Sequence, residues 1–205
     1  MNRYFTKARF GSLILLTFTL TATAQYKWKL SKDKDGIKVY ESDTKNSDFK
    51  SIKVECTLPG DYDKFISVMN DVPHYKDWVY RTKKSYIIKR ISPDEFYYYT
   101  ETSLPWPLSN RDAVFHSKTD RDSSDRYLNI KTTTEPSLIA EKSGKVRVPY
   151  SSISWYLTKP SAKMIQVIYI FEINPGGYLP SWLVNMFADR GPYESFKRLA
   201  EVLKK

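Results

Sequence analysis

The sequence predicts an α+β fold, in which a curved antiparallel sheet packs around a long C-terminal helix. Strand-like segments follow one another through short connections, which favours about seven to nine antiparallel strands. The end of the chain carries the apolar stripe of an amphipathic helix. The chain is also rich in bulky side chains, with 16 Tyr, 10 Phe and 5 Trp. A sheet curved around a helix can enclose a pocket between them.

The first 24 residues have the pattern of a secretory signal peptide. Three basic residues precede an apolar run at 12–20, and an A-x-A site ends at Ala24. We therefore expect residues 1–24 to be removed and residues 25–205 to form one domain of a periplasmic or secreted protein. The alternative is that the segment stays uncleaved as a membrane anchor.

Eight segments have strand-like patterns, and turn residues separate them. They cover residues 37–42, 49–58, 84–91, 95–104, 112–120, 126–135, 146–158 and 163–173. The segments at 84–91 and 95–104 are separated by a short turn, so we expect them to form a hairpin.

Two segments have helical periodicity. In residues 61–71, apolar side chains recur at i, i+3, i+4 and i+7, and Asp61 is placed to cap the N-terminus. The second helix is expected to begin at Ser181, after a turn at Gly176 and Gly177. Gly191–Pro192 is expected to kink this helix or to divide it.

The charge pattern argues against a nucleic-acid-binding protein. Removing three signal-peptide cations from 33 basic residues leaves 30 against 23 acidic ones, a net charge of +7. These charges are interspersed, whereas nucleic-acid-binding proteins concentrate them on one face or arm. A mild attraction to anionic membrane surfaces is the better expectation.

The sequence contains no recognisable catalytic or metal-binding motif. Two histidines and one cysteine cannot supply a His/Cys metal cluster, so we expect no metal and no cofactor. No nucleophile elbow or phosphate-binding glycine loop is present. Cys56 lies in an alternating segment and is expected to be a small core residue. Asp112 and His116 could pair, but no third partner is evident.

The segment LPWPLSNRD, residues 104–112, has an unusual composition for a strand connection. Pro105 and Pro107 cannot donate ladder hydrogen bonds, which places Trp106 in a loop or at a strand edge. Asn110, Arg111 and Asp112 then enter the next strand, where the charged pair is expected to brace the bend.

This segment also carries a family resemblance. PWPLSNRDAV resembles the bend by which START (StAR-related lipid-transfer) domains enter a central strand, and NPGGYLPSWLVN at 174–185 resembles the turn before their last helix. The similarity covers residues 28–205 and is nearest to the phosphatidylcholine-transfer branch. It implies a helix-grip fold that holds one lipid or sterol-like molecule in an internal tunnel, without catalysis.

The resemblance leaves the ligand class open. The positions that form an aromatic choline cage in phosphatidylcholine-binding members correspond here to Thr100, Ala113 and Ser151. Steroid-binding members often carry a pocket arginine at the position of Ser117. Neither headgroup arrangement is therefore carried over.

Strand alternation, aligned through the resemblance, predicts the residues of the tunnel wall. The expected wall residues are Tyr98, Thr100, Ala113, Phe115, Ser117, Ile153, Trp155 and Leu157, with Trp182, Asn185 and Met186 from the last helix. Tyr98, Thr100 and Ser117 are the polar exceptions and the best candidates to hold a hydroxyl or a headgroup.

The leading functional hypothesis is an exported, monomeric lipid-binding or lipid-transfer protein that contacts membranes transiently. A helix-grip enzyme, such as a cyclase or a small hydrolase, is the second hypothesis. It would require two or more ionisable groups that converge in the cavity. The third hypothesis is an envelope protein-binding module with a filled interior.

Overall fold

The computed structural model describes residues 27–44, 47–180, 188 and 190–205. Ten strands lie within these residues. They are β1 Lys29–Lys34, β2 Ile37–Thr44, β3 Ser47–Pro59, β4 Thr82–Ser92, β5 Glu95–Thr102, β6 Asn110–Arg121, β7 Tyr127–Thr134, β8 Lys145–Arg147, β9 Tyr150–Ser161 and β10 Met164–Asn174.

All ten strands form one curved sheet, with the order β1-β2-β3-β10-β9-β7-β6-β5-β4. Neighbours along this path are antiparallel, and β8 pairs with β6 in parallel. The expected fold class, a curved antiparallel sheet with a C-terminal helix, is confirmed.

The observed strands differ from the predicted ones in two places. Strand β1 was not predicted, because its sequence KLSKDK is polar and mostly exposed at the sheet edge. The segment at 146–158 was predicted as one strand, but it is divided between β8 and β9. Pro149 lies at the division, and proline has no backbone N–H for a sheet ladder.

The first helix, α1, spans Tyr62–Asn70. Its predicted cap is confirmed, since Asp61 Oδ1 accepts a hydrogen bond from the Lys64 backbone N–H at 2.9 Å. The apolar face buries Tyr62, Phe65 and Met69. A 3-10 turn at Val72–His74 leads into the short helix α2, Tyr75–Trp78.

The C-terminal helix α3 spans Arg190–Lys204. Gly191 and Pro192 therefore lie in its first turn, where proline removes no hydrogen bond from the helix. The predicted start at Ser181 lies outside the described residues. Phe196 of α3 contacts Trp155 of β9 and Tyr169 of β10, with ring centroids 5.3 Å apart in each pair. These contacts seat the helix against the sheet.

Candidate ligand-binding cavity

A cavity of about 370 Å³ lies between the sheet and the helices. Cavities of this size accommodate small organic ligands. Most of its wall is apolar and aromatic. This apolar wall includes Ile52, Met69, Phe115, Ile130, Trp155 and Phe196.

Most of the wall residues expected from the sequence line this cavity. They are Tyr98, Thr100, Ala113, Phe115, Ser117, Ile153 and Trp155. Leu157 is buried but does not line the cavity, because it lies further along β9 beneath α1, where Tyr62 donates a hydrogen bond to its carbonyl. Trp182, Asn185 and Met186 lie outside the described residues. That any of these side chains binds a ligand stays a prediction.

Four hydroxyl side chains, which we call the hydroxyl end, gather in one part of the cavity. They are Tyr98, Ser117, Thr132 and Tyr169. The Thr132 hydroxyl donates to Ser117 Oγ at 3.0 Å. Burial raises the pKa of Tyr98, and a hydrogen bond with Thr132 opposes this effect. Burial also raises the pKa of Tyr169, followed by the influence of Tyr98. The hydroxyl end is therefore uncharged at neutral pH.

Two of these four residues, Thr132 and Tyr169, were not predicted from the sequence. Thr132 follows Ile130 on the same face of β7, so the alternation used for other strands could have found it. Alternation does not identify Tyr169, because its neighbours Ile168 and Ile170 on the other face of β10 are apolar as well. Only its pairing with Trp155 across β9 and β10 assigns Tyr169 to the cavity face.

The opposite part of the cavity, which we call the loop end, is formed where β5, β6 and β10 meet their loops. Its wall includes Thr102, Leu104, Arg111, Ile173, Pro175 and Leu179. Arg111 is only 6% exposed. Its Nη1 donates to the Ser109 carbonyl at 2.6 Å, Nε donates to the Pro175 carbonyl at 3.4 Å, and Nη2 donates to the Gly176 carbonyl at 3.2 Å. One guanidinium thus joins two loops.

The turn after β10 depends on its glycines. Gly176 and Gly177 have φ values of +67° and +61°, a backbone region that favours glycine. A Cβ atom at Gly176 would also lie 2.9 Å from the Arg147 carbonyl oxygen. The chain bends at Gly177 and Tyr178, next to the expected turn.

Asp112 points away from Arg111, because neighbouring residues of a strand face opposite sides of the sheet. Its carboxylate pairs with Arg147, at 2.9 Å between Oδ1 and Nε. Asn110 Nδ2 donates to Glu101 at 2.8 Å, and its Oδ1 accepts from the Leu104 N–H. Arg111 therefore braces the bend through the Ser109 carbonyl, whereas Asp112 pairs outside the bend, so the expected bracing by the charged pair is correct only for Arg111. Trp106 is 92% exposed within the bend.

His116 and Cys56 do not line the cavity. His116 Nε2 lies 2.8 Å from Glu95 Oε1 and the ring stacks on Tyr97, so it does not pair with Asp112. Cys56 is buried, and burial raises its pKa to about 12. Within the described ranges, no group of three His, Cys, Asp or Glu side chains could hold a metal ion.

In the part of the chain that the structure describes, no helix is both long enough and apolar enough to cross a membrane.

Comparison with known proteins identifies close relatives of this chain. An uncharacterized protein of Pseudomonas aeruginosa is 30% identical over 178 residues, which cover 87% of each chain. The phosphatidylcholine transfer protein of Mus musculus is 30% identical over 168 residues, covering 80% of this chain and 78% of the mouse protein.

A solved structure and a family model point to the same family as these relatives. The structure of a STAR-related lipid transfer protein fragment from Xanthomonas axonopodis superposes with a TM-score of 0.80. It is 31% identical, and the match covers 87% of this chain and 99% of that one. A model of the START domain matches residues 12–205. The chain therefore belongs to the START domain family of lipid-binding and lipid-transfer domains.

Proposed function

We propose that this protein is an exported carrier that holds one lipid-like molecule in the cavity and moves it between membranes. The observation that carries the proposal is the cavity of about 370 Å³, whose wall is mainly apolar. Each methylene group that leaves water for such a wall contributes about 0.8 kcal/mol. A long acyl or polycyclic ligand is thus stabilised without any covalent step.

The hydroxyl end favours a ligand that has a small polar group. Thr132 and Ser117 bond to each other at 3.0 Å, and both line the cavity. Hydroxyl oxygens have two lone pairs, so this pair retains acceptor capacity for a ligand group. Tyr98 and Thr100 from the neighbouring strand also line the wall. These polar positions would orient the ligand within the cavity.

The loop end is where we place the contact with the membrane. Trp106 and Tyr178 are 92% and 91% exposed, on two loops that Arg111 joins. Aromatic side chains of this kind suit the boundary between water and lipid. The exposed Arg81 lies beside the same end, because Thr82 pairs with Thr102. The C-terminal helix or one of these loops would then open as the lid.

The proposal contains no catalytic step. Asp112 is the one acidic residue among the described residues that line the cavity, and its carboxylate pairs with Arg147 on the opposite face of the sheet. The ionisable side chains of the hydroxyl end are the tyrosines Tyr98 and Tyr169, whose pKa values are raised by burial, so they stay protonated at neutral pH.

Native mass spectrometry of the mature protein purified from its own host tests the proposal, followed by extraction and identification of any bound lipid. We expect a monomer with one bound lipid, an N-terminus at Gln25 and recovery from the periplasm or the medium. An empty protein that also refuses phospholipids, sterols and fatty acids would contradict the carrier function and favour an enzyme or a protein-binding module.

A further inference from the structure

Arg111 is a buried cation without a carboxylate partner in the described chain. The three hydrogen bonds of its guanidinium all go to neutral backbone carbonyls. The nearby carboxylates are engaged elsewhere, since Asp112 pairs with Arg147 and Glu101 pairs with Lys83 and Lys145. A buried charge that lacks a counter-ion is costly unless something compensates it. Burial correspondingly lowers the pKa of Arg111.

The Arg111 side chain retains unused hydrogen-bonding capacity. A guanidinium carries five N–H groups in a planar fork, and three carbonyls account for three of them. The same fork matches the spacing of oxygens in carboxylates and phosphates. Arg111 also lines the cavity. A ligand oxyanion at the loop end could therefore supply the missing negative charge.

Charge is distributed unevenly along the cavity. Lys50 and Arg81 line the wall together with Arg111, and Lys50 pairs with Glu41 at 2.5 Å. The hydroxyl end contributes only uncharged groups. Ser117 lies six residues beyond Arg111 on β6, so the two positions are about 20 Å apart along the strand. The long axis of the cavity thus runs from a basic end to a neutral end.

We propose that the cavity selects an acidic amphiphile, whose carboxylate or phosphate lies against Arg111 at the loop end and whose apolar body extends towards the hydroxyl end. This inference rests on the proposed function, because it specifies the ligand class of the same cavity. An uncharged lipid of equal length fills the apolar region but leaves Arg111 without a counter-charge.

A matched pair of probes tests the charge preference. Oleic acid and oleyl alcohol share the same chain and differ only at the headgroup, and their affinities can be measured by displacement of a fluorescent lipid. We expect the acid to bind about tenfold more tightly than the alcohol at neutral pH. Oleic acid and phosphatidylglycerol, measured in the same assay, separate a carboxylate source of the charge from a phosphodiester source.

A substitution on the neighbouring strand tests the role of Arg111 without removing its loop contacts. Thr102 is the β5 partner of Arg111 and lines the cavity, so Thr102→Glu places a carboxylate beside the guanidinium. We expect Thr102→Glu to abolish the preference for the acid while the alcohol still binds. Thr102→Gln is the neutral control of matched size and should retain the preference. Arg111→Gln should lose the preference as well if its loops stay folded.

The outcomes separate this inference from the proposed function. Equal affinities for acid and alcohol in the unmodified protein would overturn the acidic-ligand inference and leave the carrier function intact. An acid preference that survives in Thr102→Glu would assign the selectivity to a site other than Arg111 and would also overturn it. A protein that binds neither probe would contradict both proposals.

Discussion

Asp112 and Arg147 form a buried ion pair with two contacts, at 2.9 Å between Nε and Oδ1 and at 3.1 Å between Nη2 and Oδ2. The two side chains are only 1% and 4% exposed. Arg147 also donates to the carbonyls of Pro136, Ile139 and Ala140. The pair therefore fastens the connection between β7 and β8 to the outer face of the sheet.

Replacing Asp112 by Asn should lower the free energy of unfolding by about 3–5 kcal/mol, because Arg147 would stay buried without its counter-ion. Urea denaturation monitored by tryptophan fluorescence measures this change. Glu201→Gln provides the control, since Glu201 pairs with Lys204 at an exposed site and should cost less than about 1 kcal/mol. Equal effects of the two substitutions would contradict the structural role of the buried pair.

Ala113→Phe should reduce lipid uptake strongly while the protein stays folded. Ala113 lines the cavity, and the added ring would occupy part of its volume of about 370 Å³. Displacement of a fluorescent lipid measures the loss. Ile168→Phe adds an aromatic ring on β10 at a side chain that is 39% exposed, and it should leave uptake unchanged. Full uptake by the Ala113 variant would show that ligand does not occupy this region.

Gly176→Ala should destabilise the turn that precedes the C-terminal segment. A positive φ costs a non-glycine residue about 1–2 kcal/mol, and overpacking against the Arg147 carbonyl adds about 1–3 kcal/mol. Gly144→Ala measures the cost of the positive φ alone. Gly144 also has a positive φ, of +75°, but a Cβ added there would have no atom within 4 Å. Chemical denaturation compares the two variants, and a cost at Gly176 no larger than at Gly144 would refute the close approach.

Cys56 should resist alkylation in the folded protein at pH 8.5. Burial raises the pKa of its thiol from 9.0 to about 12, so little reactive thiolate is present. Because the folded pKa is the higher one, this thiol's contribution to stability is complete below about pH 9 and is lost as the pH rises towards 12. Mass spectrometry after iodoacetamide treatment should show modification only with denaturant. Rapid alkylation of the native protein would contradict this burial.

Paired replacement of Trp106 and Tyr178 by Ala should weaken binding to lipid vesicles without changing the free energy of unfolding by more than about 0.5 kcal/mol. The two side chains are 92% and 91% exposed, so they contribute little to the core. Vesicle flotation with anionic and neutral lipids measures the binding. Tyr156→Ala, at a side chain that is 47% exposed on β9, is the control. Unchanged flotation of the paired variant would contradict docking through the loop end.

Several local features could be predicted from the sequence because their causes are local. The cap at Asp61 needs only an acceptor three residues before a free N–H, and both lie in one short segment. The inner face of β9 followed from alternation of Ile153 and Trp155 with Ser152 and Ser154. Alternation did not indicate that Leu157 lies beyond the cavity, because that depends on where α1 packs against the sheet.

The sequence by itself determined most of the strand-forming segments, where α1 begins and which family the chain resembles, since these depend on neighbouring residues and on motifs along the chain. Only the tertiary structure decided how the charges are paired. Arg111 and Asp112 are adjacent in sequence, but strand geometry turns them to opposite faces. Asp112 meets Arg147 because β8 pairs in parallel with β6, and this pairing joins residues 35 positions apart. Arg111 is thereby left facing the cavity, where a ligand can reach it.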